Sequence, residues 1–237
     1  MKIISVKDIE GIRIGNAQNL TGGTGCTVIL SETGMCAGLD VRGGGPASRE
    51  SELLKPLAAA QSIHAVLLGG GSAFGLDAAG GVMQFLEEKG IGFDVGVTRV
   101  PLVCQSDIFD LTVADAHVRP DKEMGYEACK GAYADNYQDG NFGVGTGATV
   151  GKFRGMDYCM KSGIGSYAVQ IGELKVGAIV AVNALGDIYD HHSGRIIAGM
   201  LNEEHSAFAD TAKLLYSSYE VHDNKFVGNT TIGAIIT

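Results

Sequence analysis

Short apolar runs separated by glycine-rich turns open the chain: Gly11-Ile12-Arg13-Ile14-Gly15, Cys26-Thr27-Val28-Ile29-Leu30 and Cys36-Ala37-Gly38-Leu39-Asp40-Val41. Runs of this length bounded by turn residues predict strands, and Ser31-Glu32-Thr33-Gly34 predicts a hairpin turn between the last two. After Arg42-Gly43-Gly44-Gly45-Pro46 the pattern becomes helical, with Ser48 as the cap of an amphipathic helix from Glu50 to about Ile63. Ala65-Val66-Leu67-Leu68 then reads as a short buried strand running into the loop Gly69-Gly70-Gly71-Ser72-Ala73-Phe74-Gly75. Leu76, Ala79, Met83 and Leu86 follow at helical spacing until Lys89-Gly90, which completes a strand, glycine loop and helix.

Further helices are predicted from Lys122 to Tyr137 and from Ala207 to Tyr219, the latter with Phe208, Ala212, Leu215 and Tyr219 on one face. Between them strands dominate: Gly143 to Val150, Ser166 to Ile171, and Val176 to Asn183. The last is nearly continuous in apolar residues, the pattern of a strand covered on both faces. Strands and helices come in blocks, so a layered α+β sandwich is favoured over a doubly wound sheet. With neither repeat nor linker visible, residues 1–237 are expected to form a single domain.

Composition sharpens this picture. Thirty-six glycines against four prolines, with no period of three, imply many tight turns and close approaches of backbone. A net charge of −9 without a basic stripe argues against nucleic acid or an anionic membrane as partner. The cysteines, Cys26, Cys36, Cys104, Cys129 and Cys159, are odd in number and widely spaced, which suggests neither a disulfide framework nor zinc and favours a reducing cytoplasm. The N-terminal residues lack the apolar segment of a signal peptide, and no run approaches membrane-spanning length.

Few motifs carry chemistry alone. The glycine loop could cradle a phosphate, but no Walker A pattern or dinucleotide fingerprint occurs, and the turn around Lys152 fails the same test. His117, His191 and His192 lack metal-ligand spacing, and Asp107 and Asp110 read first as turn caps. Asn183 is different: an amide at the end of an apolar strand must be hydrogen-bonded if buried, and its N–H groups suit an oxyanion. Lys152, after a glycine-rich strand, sets a charge in a tight setting, and Asn229-Thr230-Thr231 places hydroxyls at the mouth of the apolar run Ile232 to Ile236.

Taken in order, Leu68-Gly69-Gly70-Gly71-Ser72-Ala73-Phe74-Gly75-Leu76-Asp77, Gly145-Thr146-Gly147-Ala148-Thr149-Val150-Gly151-Lys152, Val182-Asn183-Ala184-Leu185-Gly186-Asp187 and Asn229-Thr230-Thr231-Ile232-Gly233 resemble the DmpA-type family of self-processing hydrolases. That family comprises L-aminopeptidase/D-esterases, β-peptidyl aminopeptidases and the nylon-oligomer hydrolase, and the likeness spans nearly the whole chain. It implies a four-layer αββα sandwich, homo-oligomers, and hydrolysis of a small peptide or amide substrate without metal or organic cofactor.

The resemblance also implies a backbone cut between Asn229 and Thr230, separating an α-chain of residues 1–229 from a β-chain beginning at residue 230. Thr230, rather than Thr231, becomes the nucleophile because the family cut directly follows the asparagine. Its freed α-amine, with an ordinary pKa near ~8, serves as base. Asn183 corresponds to the oxyanion donor, Lys152 to a lysine beside the nucleophile, and Gly70, Gly71 and Ser72 to a substrate-binding loop. Where some members carry an oxyanion tyrosine, this chain has Phe109, which lacks a donor.

Family chains continue past the position of Thr237, so the sequence is expected to hold only the first strand of the β-chain, its partner segment lying elsewhere. The readings weighed against a hydrolase are an acyltransferase on a similar fold and a truncated, inactive family member.

Overall fold

The computed structural model describes residues 1–218 and 228–237. In chain order the elements are β1 (Lys2–Ile4), β2 (Arg13–Asn19), β3 (Thr24–Met35), β4 (Ala47–Arg49), β5 (Ile63–Gly69), α1 (Ala78–Glu88), β6 (Phe93–Asp94), β7 (Arg99–Val100) and β8 (Val103–Asp107). They continue with α2 (Lys122–Tyr133), β9 (Thr149–Val150), β10 (Met160–Lys161), β11 (Ile164–Ile171), β12 (Leu174–Asn183), β13 (Ile188–Tyr189), β14 (Ile196–Ala198), α3 (Thr211–Ser217) and β15 (Thr230–Ile236).

Two sheets carry the fold. The first is ordered β2-β3-β5-β8-β4, with β5 and β8 parallel and the other pairs antiparallel. The second, β1-β11-β12-β15, is antiparallel throughout. Alternation along β3 explains their stacking, because successive side chains leave a strand on opposite faces. Cys26, Val28 and Leu30 enter a core with Ala65, Leu67 and Val103 and with Ala79, Val82 and Leu86 of α1 and Ala128 and Cys129 of α2. Ile29, in the opposite phase, joins Leu68 and Ile108 against Ile164, Ala168, Ile179 and Ala181 of the second sheet.

The result is an α+β molecule in which a helix pair, a first sheet and a second sheet form three successive layers of the expected αββα order. The helices approach closely because they meet at glycine: a Cβ on Gly81 would collide with the Lys122 carbonyl, and one on Gly125 with the Ala78 carbonyl. The outer face of the second sheet carries Tyr167, Ala178 and Ile235 in one cross-strand row, with Tyr167 57% and Ile235 82% exposed.

Several local expectations need correction. No turn interrupts Ser31 to Gly34; β3 runs through to Met35, its hairpin partner is β2, and residues 36–41 form no strand. The helix expected from Glu50 is a single 3-10 turn, Ser51–Leu54, and Ser48 lies in β4. Pro56 accounts for the stop, since proline lacks the amide a helix interior needs. Gly143–Thr146 is another 3-10 turn, leaving only Thr149–Val150 of the strand expected there.

The second helix ends at Tyr133, and Tyr137 is buried in the inter-sheet core instead. Phe208 precedes α3, while Tyr219 lies outside the described residues. β12 buries Gly177, Ile179, Ala181 and Asn183 but leaves the alternate positions half-exposed, so it is covered on one face here, not two.

Candidate active site

Asn183 ends β12 and Thr230 begins β15, and the two are paired in register. Both lie in the inward phase. Asn183 is fully buried, and Ile232, Ala234 and Ile236, which share the phase of Thr230, pack on the inter-sheet core. Thr231 falls on the exposed outer face with Gly233 and Ile235. Directly opposed residues of an antiparallel pair have Cβ atoms ~5 Å apart, so the side chains of Thr230 and Asn183 start from adjacent positions at one mouth of the layer.

A second stretch is brought to the same place by backbone pairing. The N–H of Gly151 donates to the carbonyl of Gly186 and that of Lys152 to Leu185, each at 2.9 Å. Gly151 is required here: its φ is +70°, and a Cβ would collide with the Met200 amide. From this turn the Lys152 ammonium donates to Asn183 Oδ1 at 2.8 Å, to the Asn183 carbonyl at 3.0 Å and to the Gly228 carbonyl at 3.4 Å. Burial lowers the Lys152 amine to about 8, the Cys159 thiol opposing this slightly.

The Asn183 side chain is saturated. Its oxygen also accepts from the Thr149 amide at 3.1 Å and the Thr149 hydroxyl at 3.2 Å. Its nitrogen donates to the Phe109 carbonyl at 2.8 Å and the Gly228 carbonyl at 3.3 Å. Phe109 therefore contributes its backbone oxygen, and its ring lies close enough to Gly228 that a Cβ there would come within 2.9 Å.

The glycine loop is tied to this group through residues 108–110. Ile108 N–H donates to the Gly69 carbonyl and Ser72 N–H to the Ile108 carbonyl, at 2.8 and 3.0 Å. Gly70 N–H is taken by the Gly25 carbonyl and Gly71 N–H by Asp110 Oδ1. The amides of Gly70, Gly71 and Ser72 are thus committed to the protein and do not form an anion cradle. His117, His191 and His192 are exposed.

Asp107 and Asp110 are more than turn caps. Both are buried, and Thr24 donates to Asp110 Oδ2 at 2.6 Å. Burial raises the Asp110 carboxyl and pushes Asp107 up to about 8, although Gln105 donates to Asp107 Oδ1 at 2.8 Å. Asp107 Oδ2 has no hydrogen-bond partner among the described residues. Sequence reasoning also passed over Thr149 and the carbonyls of Phe109 and Gly228. Only Thr149 left a trace, as a polar residue inside an apolar run.

Two packed sheets flanked by the α1–α2 pair, with these polar groups at their rim, have the fold of N-terminal-nucleophile hydrolases in its DmpA-type form. The chain aligns with the L-aminopeptidase D-Ala-esterase/amidase of Ochrobactrum anthropi, described as a variant of that fold, at a TM-score of 0.57 and 18% identity, covering 76% of this chain and 53% of that one. Against the PH0078 protein of Pyrococcus horikoshii OT3 the TM-score is 0.64 at 22% identity, covering 96% and 61%. The chain belongs to peptidase family S58, whose family model matches residues 5–237.

Its relatives include the uncharacterized aminopeptidase ML1167 of Mycobacterium leprae, 38% identical over 98% of this chain and 67% of that protein. The 6-aminohexanoate-oligomer endohydrolase of Agromyces sp. is 30% identical over 97% of this chain and 62% of that protein. The chain thus spans between 53% and 67% of the lengths of these proteins.

Proposed function

We propose that the protein is a self-processing amidohydrolase that releases small N-terminal residues from short peptides or peptide-like amides through an acyl-enzyme on Thr230. The carrying observation is the in-register pairing of Thr230 with Asn183, whose amide is held by Lys152. Membership of peptidase family S58 and the aminopeptidase and endohydrolase relatives support the reaction class.

In the uncut chain the Thr230 nitrogen is an amide and accepts no proton. The Thr230 hydroxyl attacks the Asn229 carbonyl; as the tetrahedral intermediate collapses and the C–N bond breaks, the hydroxyl proton passes to the departing nitrogen, which leaves as the α-amine. Water then hydrolyses the ester, restoring the hydroxyl and releasing residue 229 as a carboxylate. The freed α-amine becomes the general base for later substrates, and a nearby Lys152 ammonium lowers its proton affinity. During self-cleavage the N–H that Asn183 gives to the Gly228 carbonyl turns to the oxyanion forming at the adjacent Asn229 carbonyl, and once the cut has released Gly228 from Thr230 the same N–H serves a substrate oxyanion.

Gly70, Gly71 and Ser72 wall the substrate site by the closeness of their backbone rather than by amide donation. Nucleophile, base and oxyanion donor are all protein groups, so the scheme calls for no metal or organic cofactor. Residues 1–229 and 230–237 are assigned to the α-chain and the start of the β-chain of one domain, in a cytoplasmic homo-oligomer. Mass spectrometry of the purified full-length protein tests this reading. A fragment beginning at Thr230 is expected, and Thr230→Ala should leave the chain whole; cutting that survives in Thr230→Ala overturns the nucleophile.

A further inference from the structure

We propose that Thr149 is a positioning residue that fixes the direction of the Asn183 amide at the site of catalysis. The inference rests on the reading of Asn183 as the oxyanion donor and adds the residue that aims it.

The orientation of an asparagine amide is ordinarily assigned from its partners. Here the partners leave one choice. The Thr149 backbone N–H and the Lys152 ammonium are donors only, and both meet Oδ1, at 3.1 and 2.8 Å. The carbonyls of Phe109 and Gly228 are acceptors only, and both meet Nδ2. The oxygen is therefore held at the back and the two N–H groups face the Phe109–Gly228 side, toward the start of β15.

Two side chains supply the hold, and they differ in stiffness. Lys152 reaches Oδ1 through four methylenes, whereas the Thr149 hydroxyl, 3.2 Å from Oδ1, sits on a β-branched side chain with few rotamers. Thr149 is itself anchored away from Asn183. Its strand β9 pairs with β10 through Thr149 and Lys161, and the Lys161 ammonium donates to the flanking Ala148 carbonyl at 3.2 Å and to that of Thr146. Thr149 is buried, at 4% exposure. One residue thus gives Oδ1 two donors from a rigid support, while Lys152 adds the charge.

The test compares Thr149→Val, Thr149→Ala, Thr149→Ser and Asn183→Ala in the full-length protein. The readouts are the first-order rate of self-cleavage by mass spectrometry and the thermal midpoint. Val and Ala remove the hydroxyl but keep the backbone N–H, and self-cleavage is expected to slow roughly tenfold in both, the scale of one lost hydrogen bond to the amide. Ser restores the hydroxyl and is expected to stay within about twofold of the parent. If Val fails to fold, the Ala and Ser pair carries the comparison. Val and Ala rates equal to the parent, with Asn183→Ala stalled, overturn the role of Thr149 alone. So does a Ser variant as slow as Ala. A parent that stays whole, or Asn183→Ala cutting at the parent rate, overturns the underlying reading of the site.

Discussion

Lys152 holds Asn183 by its oxygen: the ammonium lies 2.8 Å from Oδ1 and 3.0 Å from the backbone carbonyl of the same residue. A cation placed there leaves the nitrogen of the amide, not its oxygen, to face the Phe109–Gly228 side. In the proposed mechanism the lysine therefore acts through the asparagine as well as directly on Thr230.

Replacing Lys152 by Met keeps the aliphatic stem and removes the charge. Self-cleavage is expected to slow by roughly 10²-fold, since hydrogen bonds to charged groups contribute ~1.5–3 kcal/mol. Time-resolved mass spectrometry checks it, and an unaltered rate would show the clamp to be dispensable.

In the pH dependence of self-cleavage the α-amine of Thr230 plays no part, because the uncut chain lacks it, and comparison with Lys152→Met separates the lysine from other groups. Lys152 is lowered to about 8, so it is charged below that pH and loses its proton above it. Self-cleavage should decline as pH rises through about 8, and Lys152→Met should lack that limb. Stability runs the other way: between about 8 and 10.5 the unfolded chain binds the proton and the native chain does not, so the Lys152 contribution rises with pH.

Asp107 makes the opposite contribution. Its carboxyl is raised from 3.8 to about 8, so across that interval the native state binds a proton that the unfolded state has lost. Its stabilisation is complete below about 4 and gone above about 8. Urea midpoints of the parent should fall from pH 5 to pH 8, and Asp107→Asn should flatten that slope; equal slopes would remove the assignment.

With Asn183 in the proposed role of oxyanion donor, Asn183→Ala should cost ~3 kcal/mol of transition-state stabilisation, or about 10²-fold in the rate of self-cleavage. Fold and processing should separate at Gly81→Ala, whose added methyl meets the Lys122 carbonyl between α1 and α2. That variant is expected to lose ~1–3 kcal/mol in urea titration while self-cleavage at low temperature continues.

Much of this arrangement was legible in the sequence where one face of an element is buried. β5, α1, β11, β12 and β15 announce themselves through apolar spacing, and the pairing of Asn183 with Thr230 realises the proximity implied by the four motifs. The 3-10 turns at Ser51–Leu54 and Gly143–Thr146 were not legible, because a single turn lacks a repeating face. Burial of Asp107 follows from β8 lying between β5 and β4, a long-range pairing that residues near Asp107 do not encode. The Phe109 carbonyl carries no side-chain signal at all, so only the fold could reveal it.

The row of Tyr167, Ala178 and Ile235 has a practical consequence for handling the protein. An apolar strip running across β11, β12 and β15 on the outer face of the sheet invites one molecule to stack on another. Near neutral pH the net charge of −9 keeps copies apart. Acidification into the carboxylate range, or high salt, removes that repulsion. Clouding on concentration should therefore begin under those conditions, and a charge introduced at Ile235 should delay it.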